Sequence, residues 1–188
     1  MGRLQIAAYA VLMICWAAWW LAFVKPRKSA AGKTKAARAP ASRVGIFLVM
    51  LGYACEFAFV RPAGFEKSDA SLIVSMILGP PSVVLAWLAT RHLDKQWRFE
   101  AALSEDHELI TTGPYRWLRH PIYASMLGML IATGLAHAWW PMLTGGIVFY
   151  IIGTEIRVRA EEGLLAGRFG DEFARFKAST KAYIPFVR

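Results

Sequence analysis

The sequence predicts an all-α integral membrane protein with five transmembrane helices. Three observations carry that expectation. Apolar residues make up 56% of the chain and the mean hydropathy is +0.38, whereas a soluble domain is roughly 45–50% apolar. The apolar residues gather into five runs separated by polar stretches. The net charge is +9, from 22 Lys and Arg against 13 Asp and Glu, and the basic residues lie between the runs. Disorder is excluded for most of the chain, because so much apolar surface collapses or inserts. The 188 residues read as one membrane domain, with three spans and a basic loop in 1–90 and a second half in 91–188.

The first run, Leu4 to Val24, is interrupted only by Gln5. At about 1.5 Å per residue it crosses a core of about 30 Å. A cleaved signal peptide is the rival reading, but the run is long for one and a basic stretch follows it. That stretch, residues 25–43, holds seven Lys or Arg and no acid. Beside a membrane helix such charges mark the cytoplasmic side and meet anionic lipid, so no nucleic-acid partner is expected. The second run, Val44 to Val60, carries Glu56 and ends at Arg61-Pro62. Glu56 either snorkels or pairs with Arg61, or it faces a polar cavity. The third run, Leu72 to Ala89, contains Gly79-Pro80-Pro81. Two adjacent prolines remove two donors and predict a kink or a split facing protein.

Residues 91–119 form the longest polar connection. Two short runs follow, Ile122 to Leu135 and Met142 to Ile156, as a hairpin turning at His137 to Pro141. Trp139 and Trp140 sit where an aromatic belt belongs. In the tail, Leu165, Phe169, Phe173 and Phe176 recur at spacings of four, four and three, which makes one helical face. That face either lies on the bilayer or folds back over the spans. Gly170-Asp171 is placed to end one helix and cap the next.

With five spans, loop 25–43, segment 91–119 and the tail share one side and carry 19 Lys or Arg, against 3 on the other. The positive-inside rule then puts the N-terminus outside and the C-terminus in the cytoplasm.

Most soluble-enzyme chemistry is excluded. There is no GxGxxG, P-loop or HExxH. The two cysteines, Cys15 and Cys55, lie in apolar runs and supply neither a disulfide scaffold nor a thiolate metal site. His92, His107, His120 and His137 lack ligand spacing, and no metal is expected. The sequence carries no signal for oligomeric state.

Two polar clusters stand out. One is HELITTGPYRWLRHPIY, residues 107–123, with a turn at Gly113-Pro114 between aromatic residues. The other is EIRVRAEE, residues 155–162, in which Arg157 and Glu161 share a helix face. A salt-bridged helix end is the plain reading of the second. Both clusters fall at the same end of adjacent spans, which makes a polar pocket beside lipid.

These residues resemble the isoprenylcysteine carboxyl methyltransferases and the related phospholipid N-methyltransferases. The family pattern runs His-x-Leu-x-x-x-Gly-x-Tyr into Arg-His-Pro-x-Tyr, then an arginine before a Glu-Glu pair, then Phe-Gly-x-Glu-Tyr and a late proline. This chain has His107, Leu109, Gly113, Tyr115, Arg119, His120, Pro121 and Tyr123 in register, followed by Arg157, Glu161-Glu162, Phe169-Gly170-Asp171-Glu172-Phe173 and Pro185. It departs from the pattern at Ser125 and Phe173, where relatives have Gly and Tyr.

The resemblance implies a methyltransferase that uses S-adenosyl-L-methionine and releases S-adenosyl-L-homocysteine. The cofactor pocket would lie at the cytoplasmic face, between the last two spans, the 91–119 connection and the tail. Its implied contacts are His107, Glu108, Leu109, Ile110, Tyr115, His120, Pro121, Ile122, Tyr123 and Glu161, with Glu100 upstream. Arg157 and Glu162 are the implied catalytic residues toward the acceptor. That acceptor is lipid-like, favoured as the carboxylate of a prenylcysteine-like group, with an amine headgroup as the alternative. Two other classes stay open: a nicotinamide-dependent membrane reductase, which would want an Arg- and Gly-rich phosphate site, and a membrane protein without enzymatic activity.

Overall fold

A computed structural model of the chain describes residues 2–24, 37–38, 41–58, 62–93, 102–103 and 108–184. Five helices dominate them: α1 (Arg3–Val24), α2 (Ala41–Phe57), α3 (Asp69–Leu93), α4 (Pro121–His137) and α5 (Trp140–Ser179). Four of the expected apolar runs fall within α1, α3, α4 and α5, and α2 holds the second as far as Phe57; residues 59 and 60 of that run lie outside the described residues. Among the described residues, extended structure is confined to a two-residue antiparallel pair, β1 (Ala37–Arg38) with β2 (Ala102–Leu103), and a parallel bridge from Leu118 to Lys181. A 3-10 turn spans Gly113–Arg116.

Two helices, α1 with 22 residues and α3 with 25, are by themselves long and apolar enough to cross a membrane. α2 and α4 have 17 residues each, about 26 Å at the helical rise. α5 has 40 residues, mostly apolar before Glu155 and rich in charge from there on. It starts with Pro141 in its first turn, where a missing N–H is harmless. Its regular geometry breaks at Gly170 (φ 50°, ψ −121°), the point where the sequence marks a cap.

Pro80 and Pro81 neither split α3 nor face protein. The helix runs through them, and both lie on its exposed side. The opposite side stays packed. Gly79 meets Cys15 of α1, and Ser82 Oγ donates to the Leu78 carbonyl at 2.8 Å.

Helix packing follows small residues and side-chain bonds to backbone carbonyls, as expected where the solvent is as apolar as the core. α2 lies along α5 on two glycine pairs. A Cβ at Gly153 would lie 2.6 Å from the Gly45 carbonyl, and one at Gly146 would lie 2.7 Å from the Gly52 carbonyl. Ser71 and Ser75 of α3 donate to the Leu135 and Ala132 carbonyls of α4, at 2.6 and 2.7 Å. Trp87 Nε1 ties α3 to the Ala18 carbonyl of α1 at 2.9 Å. The buried Tyr150 joins α5 to α4 by donating to the Tyr123 carbonyl at 2.7 Å. The result is a layer of α1, α3 and α4 beside a layer of α2 and α5.

Glu56 is enclosed by protein. It is 1% exposed, so it does not snorkel, and it does not line the cavity described below. Arg61, its expected partner, lies outside the described residues. The cation that acts on Glu56 is Lys67, whose Nζ rests 4.3 Å above the Trp140 ring.

Candidate functional site

The site forms where the start of α4 meets the middle of α5. Gly113 has a φ of 61°, and an added Cβ there would collide with the His92 ring of α3. Only glycine suits that backbone and that approach. The turn it opens seats Tyr115 against α3, with its hydroxyl 3.5 Å from the Ala89 carbonyl. His120 then precedes α4, Pro121 opens the helix and Tyr123 occupies its first turn. On α5, Arg157 and Glu161 are one turn apart.

These side chains form one network. Arg157 Nε donates to the Tyr123 hydroxyl at 2.7 Å, and that hydroxyl donates to Glu161 Oε1. The Arg157 guanidinium also sits 5.5 Å from the Tyr123 ring centre and 3.4 Å from Glu161. His120 stacks on Tyr123 at 5.7 Å and lies 3.4 Å from Glu161 and 3.5 Å from Glu162. Burial opposes a charge on His120, but hydrogen bonds to the two glutamates outweigh it and its pKa is raised. Burial likewise disfavours the ionised glutamates. Their partners together outweigh it: His120, Arg157 and Tyr123 lower Glu161, and His120, Lys177 and Arg119 hold Glu162 well below the usual carboxylate range.

The two acids differ in what they face. Glu162 is 5% exposed, and Arg119 (2.7 and 2.8 Å) and Lys177 (2.7 Å) occupy its oxygens. The side chain of Glu161 is 23% exposed and opens into a cavity. That cavity has a volume of about 950 Å³. Glu108, Leu109, Ile110, Tyr115, His120, Ile122, Tyr123, Arg157 and Glu161 all line it. Pro121 and Glu162 do not. His107 and Glu100, and the late Pro185, lie outside the described residues.

The apolar face of the tail, left open by the sequence between the bilayer and the spans, supplies part of this wall. The second half of α5 folds back, so that Leu165, Phe173 and Phe176 cover the cavity; Phe169 is not part of its wall. The covering segment is strapped down. The Arg119 and His120 N–H groups donate to the Lys181 and Ala182 carbonyls at 2.8 Å each, and Arg119 Nη1 donates to the Lys177 and Thr180 carbonyls. Arg119 thus links the loop, Glu162 and the tail. Its place in Arg-His-Pro was visible, but its partners lie 43 to 62 positions away. Trp16, Trp20, Tyr53 and Phe57 of α1 and α2 extend the wall as an apolar groove, and nothing in their local pattern set them apart from lipid-facing residues.

Fold and site together define an integral membrane protein of helices with a polar cavity at one end of the bundle, continuous with an apolar groove. The sequence profile of the isoprenylcysteine carboxyl methyltransferase (ICMT) family matches residues 73–167, half of the chain. The chain belongs to that family. It is also similar to the uncharacterized protein YpbQ of Bacillus subtilis (strain 168), with 26% identity over 105 residues, 56% of this chain and 59% of that protein. The match therefore spans less than two thirds of that relative.

Proposed function

We propose that this chain is a five-span membrane methyltransferase that uses S-adenosyl-L-methionine and methylates the carboxylate of a lipid-like acceptor of the prenylcysteine kind. The observation that carries the reading is that one cavity joins Glu161 and the Tyr115 and Tyr123 rings to Arg157 and then to an apolar groove. The residues fit such a cofactor chemically. Tyrosine faces stabilise a compact cation such as a sulfonium. Glu161 is ionised, open to the cavity and able to accept bonds from hydroxyl or amine groups.

When bound, the cofactor supplies a methyl group whose bond to sulfur breaks as a bond to the acceptor oxygen forms, the electron pair passing to sulfur. Arg157 is buried and lines the cavity; its Nε serves the Tyr123 hydroxyl and its Nη2 faces Glu161, and the guanidinium brings to the cavity a positive charge that can pair with a carboxylate. A carboxylate is deprotonated at neutral pH, so no residue has to act as a base. The chain's part is orientation and exclusion of water by the folded-back half of α5. Glu162 acts by position, fastening Arg119 and Lys177, and does not touch the acceptor. A cation at the acceptor site favours a carboxylate over an amine headgroup.

In this reading α2 and α4 also cross the bilayer, and the site faces the cytoplasm with the C-terminus. The excess of 19 basic residues against 3 supports that orientation. A reporter fused after Arg188 is expected to signal from the cytoplasm, and an external signal overturns the topology.

Calorimetric titration with S-adenosyl-L-homocysteine tests the function, with Glu161→Gln and Tyr115→Ala alongside. Saturable binding is expected. Loss of a hydrogen bond to a charged group costs about 1.5–3 kcal/mol, so Glu161→Gln should bind roughly ten- to a hundredfold more weakly. A folded, monodisperse protein that does not bind refutes the reading.

A further inference from the structure

The groove between α1 and α2 is not uniform. α1 packs on α3 and α2 on α5, so these two helices flank the groove without closing it. At one level they touch. The Trp16 and Tyr53 rings meet edge to face, with centres 5.7 Å apart and planes at 68°. Both rings are pinned to α4. Trp16 Nε1 donates to Thr133 Oγ1 at 3.1 Å, and Tyr53 Oη donates to the Met126 carbonyl at 2.7 Å. Thr133 is itself held by its bond to the Met129 carbonyl at 2.7 Å. An aromatic pair with both polar atoms engaged is rigid and offers only ring surface to whatever fills the groove.

Cavity wall exists on both sides of this pair. Toward the polar site it includes Trp20, Phe23 and Met50. Away from the site it includes Tyr9, Phe57 and His137. The His137 nitrogens face the Thr133 and Glu56 carbonyls at 3.0 and 2.9 Å, and its ring packs on Phe57 at 5.2 Å. The far chamber therefore suits apolar matter too. The anchors of the pair on α4, Met126 and Thr133, are three and ten positions beyond Tyr123, about 4.5 and 15 Å along the helix, and His137 is fourteen, about 21 Å.

We propose that Trp16 and Tyr53 form a crossbar that sets the length of acceptor tail this site accepts. The inference rests on the proposed function, since it takes the groove as the seat of a tail whose head lies at Arg157. Tails that end short of the pair fit the near chamber. Longer ones must pass or displace two hydrogen-bonded rings to reach the far part of the same cavity. A single methylene in a shaped pocket discriminates by about ten- to two-hundredfold, so a rigid obstacle is sufficient to define a length class.

The test uses the full chain in nanodiscs and a series of N-acetyl-S-alkylcysteines of increasing chain length. Affinity is measured by competition against one radiolabelled member, for the wild type, Trp16→Ala, Trp16→Phe and Tyr53→Phe. S-adenosyl-L-homocysteine binding is measured on the same samples and certifies the fold of each variant. Wild-type affinity is expected to rise with length and then break. Trp16→Ala should move the break to longer chains and raise the long-to-short affinity ratio about tenfold or more, while Tyr53→Phe, which frees one ring, should move it less. An unchanged break in variants that still bind the cofactor product refutes the crossbar. If no chain competes while the product binds, a tail in the groove is refuted and the methyltransferase reading stands. If the product does not bind the wild type, that reading fails, and the length series still decides the crossbar.

Discussion

Gly145 and Gly146 are neighbours on α5 with opposite surroundings, and together they test how the two helix layers join. A Cβ on Gly146 would lie 2.7 Å from the Gly52 carbonyl oxygen, whereas one on Gly145 would meet nothing within 4 Å. Ordinary contact begins at 3.4 Å, so Gly146→Ala forces α2 and α5 apart by at least 0.7 Å at that level. The obstructing atom is backbone and cannot rotate away. Overpacking of this kind costs about 1–3 kcal/mol, which in a chain of this size lowers Tm by roughly 2–12 °C. Gly145→Ala carries no such clash and gains up to about 1 kcal/mol of helix propensity. Thermal melting of both variants in one detergent is the assay, with S-adenosyl-L-homocysteine affinity as a second reading. Gly146→Ala should melt several degrees below the wild type and Gly145→Ala at or above it. Equal melting temperatures, or the reverse order, would show that α2 and α5 do not meet backbone to backbone.

Gly113→Ala should weaken S-adenosyl-L-homocysteine binding and lower Tm together, because the added Cβ strains a positive-φ residue and strikes His92 beneath Tyr115; full affinity would detach that turn from the site. Arg157→Ala should depress methyl-transfer turnover more than cofactor affinity, and Arg157→Lys should recover little of it, since an ammonium lacks the fork. The opposite pattern, lost cofactor binding with intact acceptor affinity, would overturn its role. Arg119→Ala leaves the buried Glu162 with Lys177 and His120 and frees the tail strap, so a loss of about 1.5–3 kcal/mol is expected; a Tm within a degree of the wild type counts against the strap. Stability should also depend on pH in a set direction. Glu162 is depressed below its ordinary 4.5, so its contribution is present above that value and lost as pH falls through its lower folded value. His120 is raised above 6.5, so its contribution is complete below that pH and lost as pH climbs through the higher folded value. Melting scans should therefore peak between roughly pH 4.5 and 6.5 and decline toward alkali, and His120→Asn should flatten the alkaline limb. A wild-type Tm that climbs steadily from pH 6 to 9 contradicts the network.

The helical class is legible in the chain alone, because runs such as Leu4 to Val24 have no partner but apolar surroundings and must close their hydrogen bonds internally. The two polar clusters are legible there too, since Gly113, Arg-His-Pro and the Glu pair are local in the chain. Local pattern misjudges what depends on neighbours. Pro80 and Pro81 suggested an inward break, yet α3 continues and turns them outward because Gly79 and Ser82 hold the packed side. Glu161 and Glu162 are adjacent and chemically identical, so no local rule separates an acid that opens into the cavity from one bound to Arg119 and Lys177. That difference comes from a strap whose ends are far apart in sequence. The groove is the clearest case. Trp16 and Tyr53 are ordinary apolar-run residues until α4 supplies the carbonyl and hydroxyl that pin them. Apolar patterning reports only that a face avoids water, and lipid and protein satisfy it equally; which of the two a residue meets is decided when the helices pack.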